Sequence, residues 1–262
     1  MLIDSHCHLN FDAFDEDRPE VLARAAAAGI IALINPATNL ANSRQIVSLA
    51  IESPHLFAAI GFHPNDAADF EEAALAQLRE LAVLPEVVAI GEIGLDYYWD
   101  KVPRQTQKQV FEQQLALAKE VDKPVIIHQR DSGPDTMIIL RDWGSQRDHP
   151  GLVLHSFSGD MDMAEEAIEL GFYLGISGPV TFKNVRQLPE IVAAMPPERL
   201  LVETDAPFLS PHPFRGKRNE PARVKLIAAR IAQLQNRTLD EMTRHLTENT
   251  VSLFRLPNLD QG

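Results

Sequence analysis

The chain has 262 residues, 45% of them hydrophobic and 23% charged, which is ordinary globular usage and excludes a disordered polypeptide. Its 37 acidic residues against 24 basic give a formal net charge of −13, so the surface repels nucleic acid at long range and any polyanion must be held by local positive charge or by metal. The longest apolar run, residues 25–34, is far short of the roughly 20 residues of a membrane span; Met1-Leu2-Ile3-Asp4 carries no visible secretory signal; and the single Cys7 allows no internal disulfide. These features predict a cytoplasmic protein without membrane association, organised as one domain over residues 1–262 and expected to be a monomer. In chain order, the first predicted strand covers residues 2–8. A helix over about 19–28 follows, with Asp17 as N-cap, Glu20 at capping-box spacing and Gly29 where the helix should end. Strands are next predicted at 30–36, 56–63 and 87–92. The stretch near 103–121 places Phe111, Leu115 and Ala118 on one helix face, with Gln and Lys on the other. The last four strands are predicted at 125–128, 152–155, 172–177 and 200–205.

Short β-branched runs alternating with helical periodicity imply βα units around a parallel sheet. Eight such units in this length match an α/β fold of the TIM-barrel type, a single (β/α)8 barrel. An open doubly wound sheet is the alternative, weakened by the lack of a GxGxxG fingerprint after the first strand.

Six of the eight strands run apolar and then stop at histidine or an acid: His6 and His8, His63, Glu92, His128, His155 and Asp205. In a parallel barrel these ends share the face where active sites are built. Alternation puts His6 and His8 on one side, able to reach one metal ion, although a buried hydrogen-bonded pair is also open. Cys7 faces the surrounding helices and reads as core. Asp4 shares the histidines' face and either orients a ligand or makes a structural hydrogen bond. Glu92 lies between Gly91 and Gly94, where a carboxylate can bridge two cations or merely sit in a turn. His128 and His155 are each balanced between ligand and core. Glu203 and Asp205 alternate onto one face, and two inward carboxylates need a metal or an arginine to stay ionised. Asp205 is favoured as ligand and water activator, with Glu203 behind it; the reverse assignment stays open. Four imidazoles and two carboxylates are too many for one tetrahedral ion and suit two divalent ions sharing Glu92.

These residues resemble the TatD-related hydrolases, metal-dependent deoxyribonucleases of the amidohydrolase-like barrels. The matching motifs are Asp4-Ser5-His6-Cys7-His8, Gly61-Phe62-His63-Pro64, Gly91-Glu92-Ile93-Gly94-Leu95-Asp96-Tyr97, Gln105 through Phe111 leading to Gln114, His128-Gln129-Arg130-Asp131, His155-Ser156-Phe157-Ser158-Gly159, Glu203-Thr204-Asp205-Ala206-Pro207 and Arg215-Gly216-Lys217-Arg218-Asn219-Glu220-Pro221. The resemblance implies His6, His8, Glu92 and Asp205 around one metal, with Glu92, His128 and His155 around the other. It implies Zn2+, Mn2+ or Mg2+ as cofactors, Asp205 and Glu92 as catalytic groups, and His63 near the scissile phosphate. Gln129 stands where the family often has a small residue and Ser156 where many members carry cysteine; neither change removes a ligand. Several other amidohydrolase-like proteins bridge their metals with a carbamylated lysine, and the resemblance implies Glu92 at that position here.

Arg215, Lys217 and Arg218 concentrate positive charge after the last strand and are a candidate phosphate contact or a plain solvated loop; Arg130 is a second candidate. Tyr97, Tyr98 and Trp99 either stack on unpaired bases or pack their loop. No motif for sequence-specific duplex readout is present. The leading expectation is a phosphodiesterase cleaving DNA, at single strands or 3′ ends, through a two-metal-activated water. The alternatives are a hydrolase of carboxyl esters or amides, such as a D-aminoacyl-tRNA deacylase, and a non-enzymatic scaffold, which would need a degraded site.

Overall fold

All eight expected strands form, and they pair in sequence order as one parallel sheet. In the computed structural model, which describes residues 1–145, 149–257 and 259, the strands are β1 Leu2–Asp4, β2 Ile30–Pro36, β3 Leu56–Ile60, β4 Val87–Asp96, β5 Val125–Arg130, β6 Leu152–Leu154, β7 Tyr173–Ile176 and β8 Leu200–Val202. Helices α1 Arg18–Ala27, α2 Leu40–Glu52, α3 Glu72–Ala82, α4 Arg104–Glu120, α5 Gly133–Gly144, α6 Met161–Glu169 and α7 Gln187–Ala194 connect successive strands. Two more, α8 Val224–Leu234 and α9 Leu239–Phe254, follow β8. Strands covered on both faces need continuous apolar runs, and every residue of β4 is buried.

The barrel closes where β1 meets β8. Ser5 N donates to Val202 O at 3.1 Å, Asp205 N to His6 O at 2.9 Å and His8 N to Ala206 O at 2.7 Å. The result is a TIM barrel, with helices on the outside and a packed lumen. Ile3, Ile34, Phe57, Ile126, Val153 and Leu201 meet inside it, and Leu253 and Phe254 at the end of α9 join that cluster. Those side chains come from the lower part of the strands, so α9 stoppers one mouth and leaves the strand ends free for polar groups.

The ends of elements depart from expectation. β1, β3 and β8 stop before His8, His63 and Asp205, whose amides still donate to the neighbouring strand ends, at Ala206 O, Thr38 O and His6 O. β4 and β5 instead run on to Asp96 and Arg130, which pair with each other. The capping box expected at Asp17 and Glu20 is absent: Asp17 makes no cap hydrogen bond. Its carboxylate instead accepts from Arg218 Nη1 and Nη2 at 2.7 Å each and from Arg24 Nη2 at 3.2 Å. Gly29 ends α1 as expected, at φ +81. A capping box does occur before α9, between Thr238 and Glu241. On α4 the division into apolar and polar faces fails at Gln107 and Gln114, which are buried.

Candidate metal centre

The closing seam sets the first group of side chains. Ile3 belongs to the lumen cluster and Cys7 to the outer cluster of strands and helices. Strict alternation would put both on one face, so the chain changes sense once β1 ends at Asp4. Beyond that break His6 and His8 turn into the mouth, their Nε2 atoms 3.2 Å apart. Cys7 packs outward, as expected. Asp205 sits beside them in the left-handed region at φ +55, its amide tied to His6 O.

The β4–β5 pair sets the second group. Gly94, at φ +141, pairs with His128, and a Cβ there would lie 2.1 Å from His128 O. Only glycine lets the two strands approach so closely while Glu92 points between the imidazoles. The two oxygens of Glu92 then face different partners. Oε2 lies 3.5 Å from His6 Nε2 and 3.7 Å from His8 Nε2. Oε1 lies 2.7 Å from His128 Nδ1, 3.2 Å from His155 Nε2 and 3.9 Å from His63 Nε2. Asp205 Oδ1 completes the first cluster, 3.7 Å from His6 Nε2 and 3.5 Å from His8 Nε2.

Carboxylates behind the cluster fix the rings. Glu203 Oε1 meets His155 Nδ1 at 3.1 Å and accepts from Ser156 N. Gly175 makes room for it, since a Cβ there would come within 2.5 Å of Glu203 Oε2. Asp96 Oδ2 meets His128 Nε2 at 3.1 Å. Asp4 holds no imidazole; it accepts from Thr204 N at 2.8 Å and Thr204 Oγ1 at 2.5 Å, and so braces the backbone next to Asp205. His63 Nδ1 accepts from Asn65 N at 3.0 Å, which places the ring proton on Nε2, facing the cluster.

Electrostatics follow from this packing. Burial pushes the Glu92 carboxyl up, but the imidazoles of His155, His6 and His128 outweigh it and hold it well below the usual carboxylate range. Asp205 is likewise held low, burial being overcome by His8 and the other imidazoles. Burial and the neighbouring His155 keep His6 below its ordinary value, which favours the neutral, ligating ring. His63 falls to about 3, mainly through burial and then through His128, so it stays neutral. His155 is raised well above its ordinary value, because Glu92 and Glu203 outweigh burial. Asp96 drops to about 2: burial opposes ionisation, but His128 and the amides of Trp99 and Tyr98 prevail.

The donor set fits divalent cations. Among the described residues no lysine or arginine pairs with Glu92, Glu203 or Asp205, so positive charge at this site must come from protons or from metal. A cation held at 2.0–2.1 Å by tetrahedral ligands spaces their donor atoms by about 3.4 Å. The contacts linking His6 and His8 to each other, to Glu92 and to Asp205 span 3.2–3.7 Å, too long for most hydrogen bonds and close to that spacing. His6, His8 and Asp205 form one group able to hold an ion, and His63, Glu92 and His128 another. A third comprises His6, His155 and Glu203. His63 offers a protonated nitrogen rather than a lone pair, which leaves His155 the better donor beside His128. The Nδ1 atoms of His6 and His8 are buried and have no partner among the described residues.

The mouth therefore gathers His6, His8, His63, Glu92, His128, His155 and Asp205. Arg130 stands at its edge, over the Tyr98 ring. Arg215 touches none of the seven; its Nη1 lies 3.2 Å from Asn184 Oδ1 and its guanidinium covers Phe182. Arg218 is committed to Asp17 and Ala13 O, which removes one of the three cations of that loop from phosphate contact. Asp96 joins the site without a role expected from the sequence; its signal is its alternation with Glu92 along β4. Gln107 and Gln114 carry a signal too, being amides at apolar-stripe positions of α4.

The model of the TatD-related DNase family matches residues 3–255. YabD of Bacillus subtilis, an uncharacterized metal-dependent hydrolase, is 46% identical over 98% of this chain and 100% of its own. The 3′-5′ ssDNA/RNA exonuclease TatD of Citrobacter rodentium is 37% identical, with 97% of each chain covered. The crystal structure of YjjV, a TatD homolog from Escherichia coli, superposes with a TM-score of 0.92 at 35% identity over 98% of both chains. The barrel, the donor cluster at its mouth and these matches agree, and the chain belongs to the TatD-related DNase family of metal-dependent hydrolases.

Proposed function

We propose that the chain hydrolyses phosphodiester bonds in DNA, acting on single strands or 3′ ends through a water activated by two divalent ions. The observation that carries this reading is the division of Glu92, one oxygen toward His6 and His8 and the other toward His128 and His155. When bound, two such cations (Zn2+, Mn2+ or Mg2+) lower the pKa of a water and neutralise charge on the phosphoryl and leaving oxygens.

In this reading His6, His8, Glu92 and Asp205 hold one ion, and Glu92, His128 and His155 hold the other. Asp205, whose side chain is 14% exposed against 1% for Glu203, is the carboxylate of that pair that meets solvent and takes the proton of the attacking water. Glu203 and Asp96 orient His155 and His128. His63 donates a hydrogen bond from its Nε2–H to a phosphoryl oxygen and keeps that proton. Arg130 and Arg215 supply cationic contacts to the strand. The name of the Citrobacter relative supports nucleic acid as substrate class.

The test uses metal-loaded protein with 5′- and 3′-end-labelled single strands, a duplex, and D-aminoacyl-tRNA in parallel. Single strands should be shortened from the 3′ end, and Glu92→Ala and Asp205→Ala should each lose at least about a hundredfold in turnover while staying folded. Retained cleavage in either variant would remove the assigned roles, and release of the amino acid from tRNA without strand cleavage would favour the carboxyl-ester hydrolase.

A further inference from the structure

We infer that Tyr98, Trp99 and Arg130 form a stacking subsite for an unpaired nucleobase and its phosphate at the edge of the metal centre, an inference that rests on the nucleic-acid reading above. The three consecutive aromatic residues after Asp96 do different things. Tyr97 packs its loop: its hydroxyl donates to Asp135 at 2.7 Å and Arg104 covers its ring. Tyr98 and Trp99 instead stand 53% and 52% exposed. Large aromatic side chains left open at the rim of a site need a reason, because burying them would have stabilised the fold.

Their backbone is firmly held. Tyr98 N and Trp99 N donate to Asp96 Oδ1 at 3.0 and 3.2 Å, while Asp96 Oδ2 meets His128 Nε2. Gln107 clamps the Asp96 backbone from α4, accepting from its N–H at 2.8 Å and donating to its carbonyl at 2.9 Å. One carboxylate thus positions both a metal-centre imidazole and the aromatic pair, so a base on the shelf is placed relative to the reacting phosphate. The two rings are perpendicular, with centroids 4.9 Å apart. The edge of one ring thus meets the face of the other, Lys101 Nζ lies 5.9 Å from the Trp99 centroid, and about half of each side chain remains exposed for stacking.

Arg130 supplies the charge. It ends β5 directly opposite Asp96, and its guanidinium sits 3.8 Å from the Tyr98 ring centroid and 5.5 Å from that of Trp99. It makes no salt bridge among the described residues, and its guanidinium meets these two rings. In a chain of net charge −13, an uncompensated guanidinium stacked on an exposed ring suits a strand that offers base and phosphate together. Bases in a duplex keep their faces against one another, so this shelf selects single strands.

The experiment uses the full metal-loaded protein and a labelled phosphorothioate oligothymidylate, so that binding is read without turnover. An abasic strand with the same number of phosphates is the comparison. Tyr98→Ala and Trp99→Ala should each weaken oligothymidylate binding about five- to hundredfold and leave abasic-strand affinity unchanged, and Trp99→Phe should keep most of the affinity that Trp99→Ala loses. The chain has two tryptophans, and because Trp143 is buried, strand-dependent quenching should report Trp99. Unchanged oligothymidylate affinity in Trp99→Ala, an equal loss on the abasic strand, or equally tight duplex binding would overturn the subsite. Cleavage of an ordinary oligothymidylate is scored separately. Trp99-dependent binding without cleavage would sink the hydrolytic reading alone, and cleavage with Trp99-independent binding would sink the subsite alone.

Discussion

The carboxyl of Asp4 is fully buried, and burial, opposed by hydrogen bonds from Thr204 and His6, raises it to about 8. Its ordinary value is about 3.9, so the folded state holds this proton more tightly than the unfolded chain does. Stability from this group is therefore complete below about pH 4 and is lost as the pH rises toward 8, by up to about 1.4 kcal/mol per pH unit. Asparagine is the neutral isostere: it can still accept from Thr204 N and can donate to Thr204 Oγ1, which itself accepts from Ala206 N. Urea midpoints of wild type and Asp4→Asn should accordingly lie closest at about pH 4 and separate in favour of the variant by pH 9. Parallel curves across that range would mean that Asp4 is already ionised in the folded protein. Thr204 immediately precedes Asp205, so the same bracing reaches the proposed water-activating group through one peptide.

At the scale of elements, α4 positions two loops with two amides. Gln114 Oε1 accepts from Phe62 N at 2.7 Å and its Nε2 donates to Phe62 O at 3.1 Å, fixing the segment that carries His63. Gln107 does the same for Asp96. Gln114→Ala would strand both backbone groups of Phe62 in a buried setting, at a cost of about 2–5 kcal/mol, measurable as a lowered urea midpoint. A variant as stable as wild type would show that water replaces the amide. These glutamines also mark the limit of what the sequence made legible. Apolar runs long enough to be buried on both faces identified all eight strands, and the clustering of His and acid at their ends located the mouth. Residues such as Gln107 escaped because a period-3.6 pattern sorts polar from apolar, whereas here a polar side chain lies on the buried stripe to satisfy a backbone. For Asp4 the structural hydrogen bond is the alternative that holds, while its expected place on the histidines' face assumes that β1 continues, and the seam with β8 breaks that alternation before His6. Asp96 became visible only once β4 was seen to outrun its expected end at Glu92.

At the scale of the whole molecule, the barrel joins the proposed ligands at the ends of β1, β4, β5, β6 and β8 into a single thermodynamic unit. An ion bound only by the closed barrel stabilises it by RT ln(1 + [L]/Kd), about 2.7 kcal/mol at a hundredfold excess over Kd. For a chain of this size each kcal/mol raises Tm by about 2–4 °C, so Zn2+ or Mn2+ should lift the melting transition by about 5–10 °C per site filled. Glu92 faces both clusters, so Glu92→Gln should abolish the shift and reduce the bound metal, by elemental analysis, below one ion per chain. Asp205→Asn faces only the His6–His8 cluster and should keep the second ion and about half the shift. The imidazoles must be neutral to ligate, and Glu92 and Glu203 hold His155 well above its ordinary value, so proton competition should begin above the ordinary imidazole range and the wild-type shift should shrink as the pH falls through it. Two ions per chain retained by Glu92→Gln with an undiminished shift would mean that the clusters fill independently, and the shared carboxylate would lose its place in the argument.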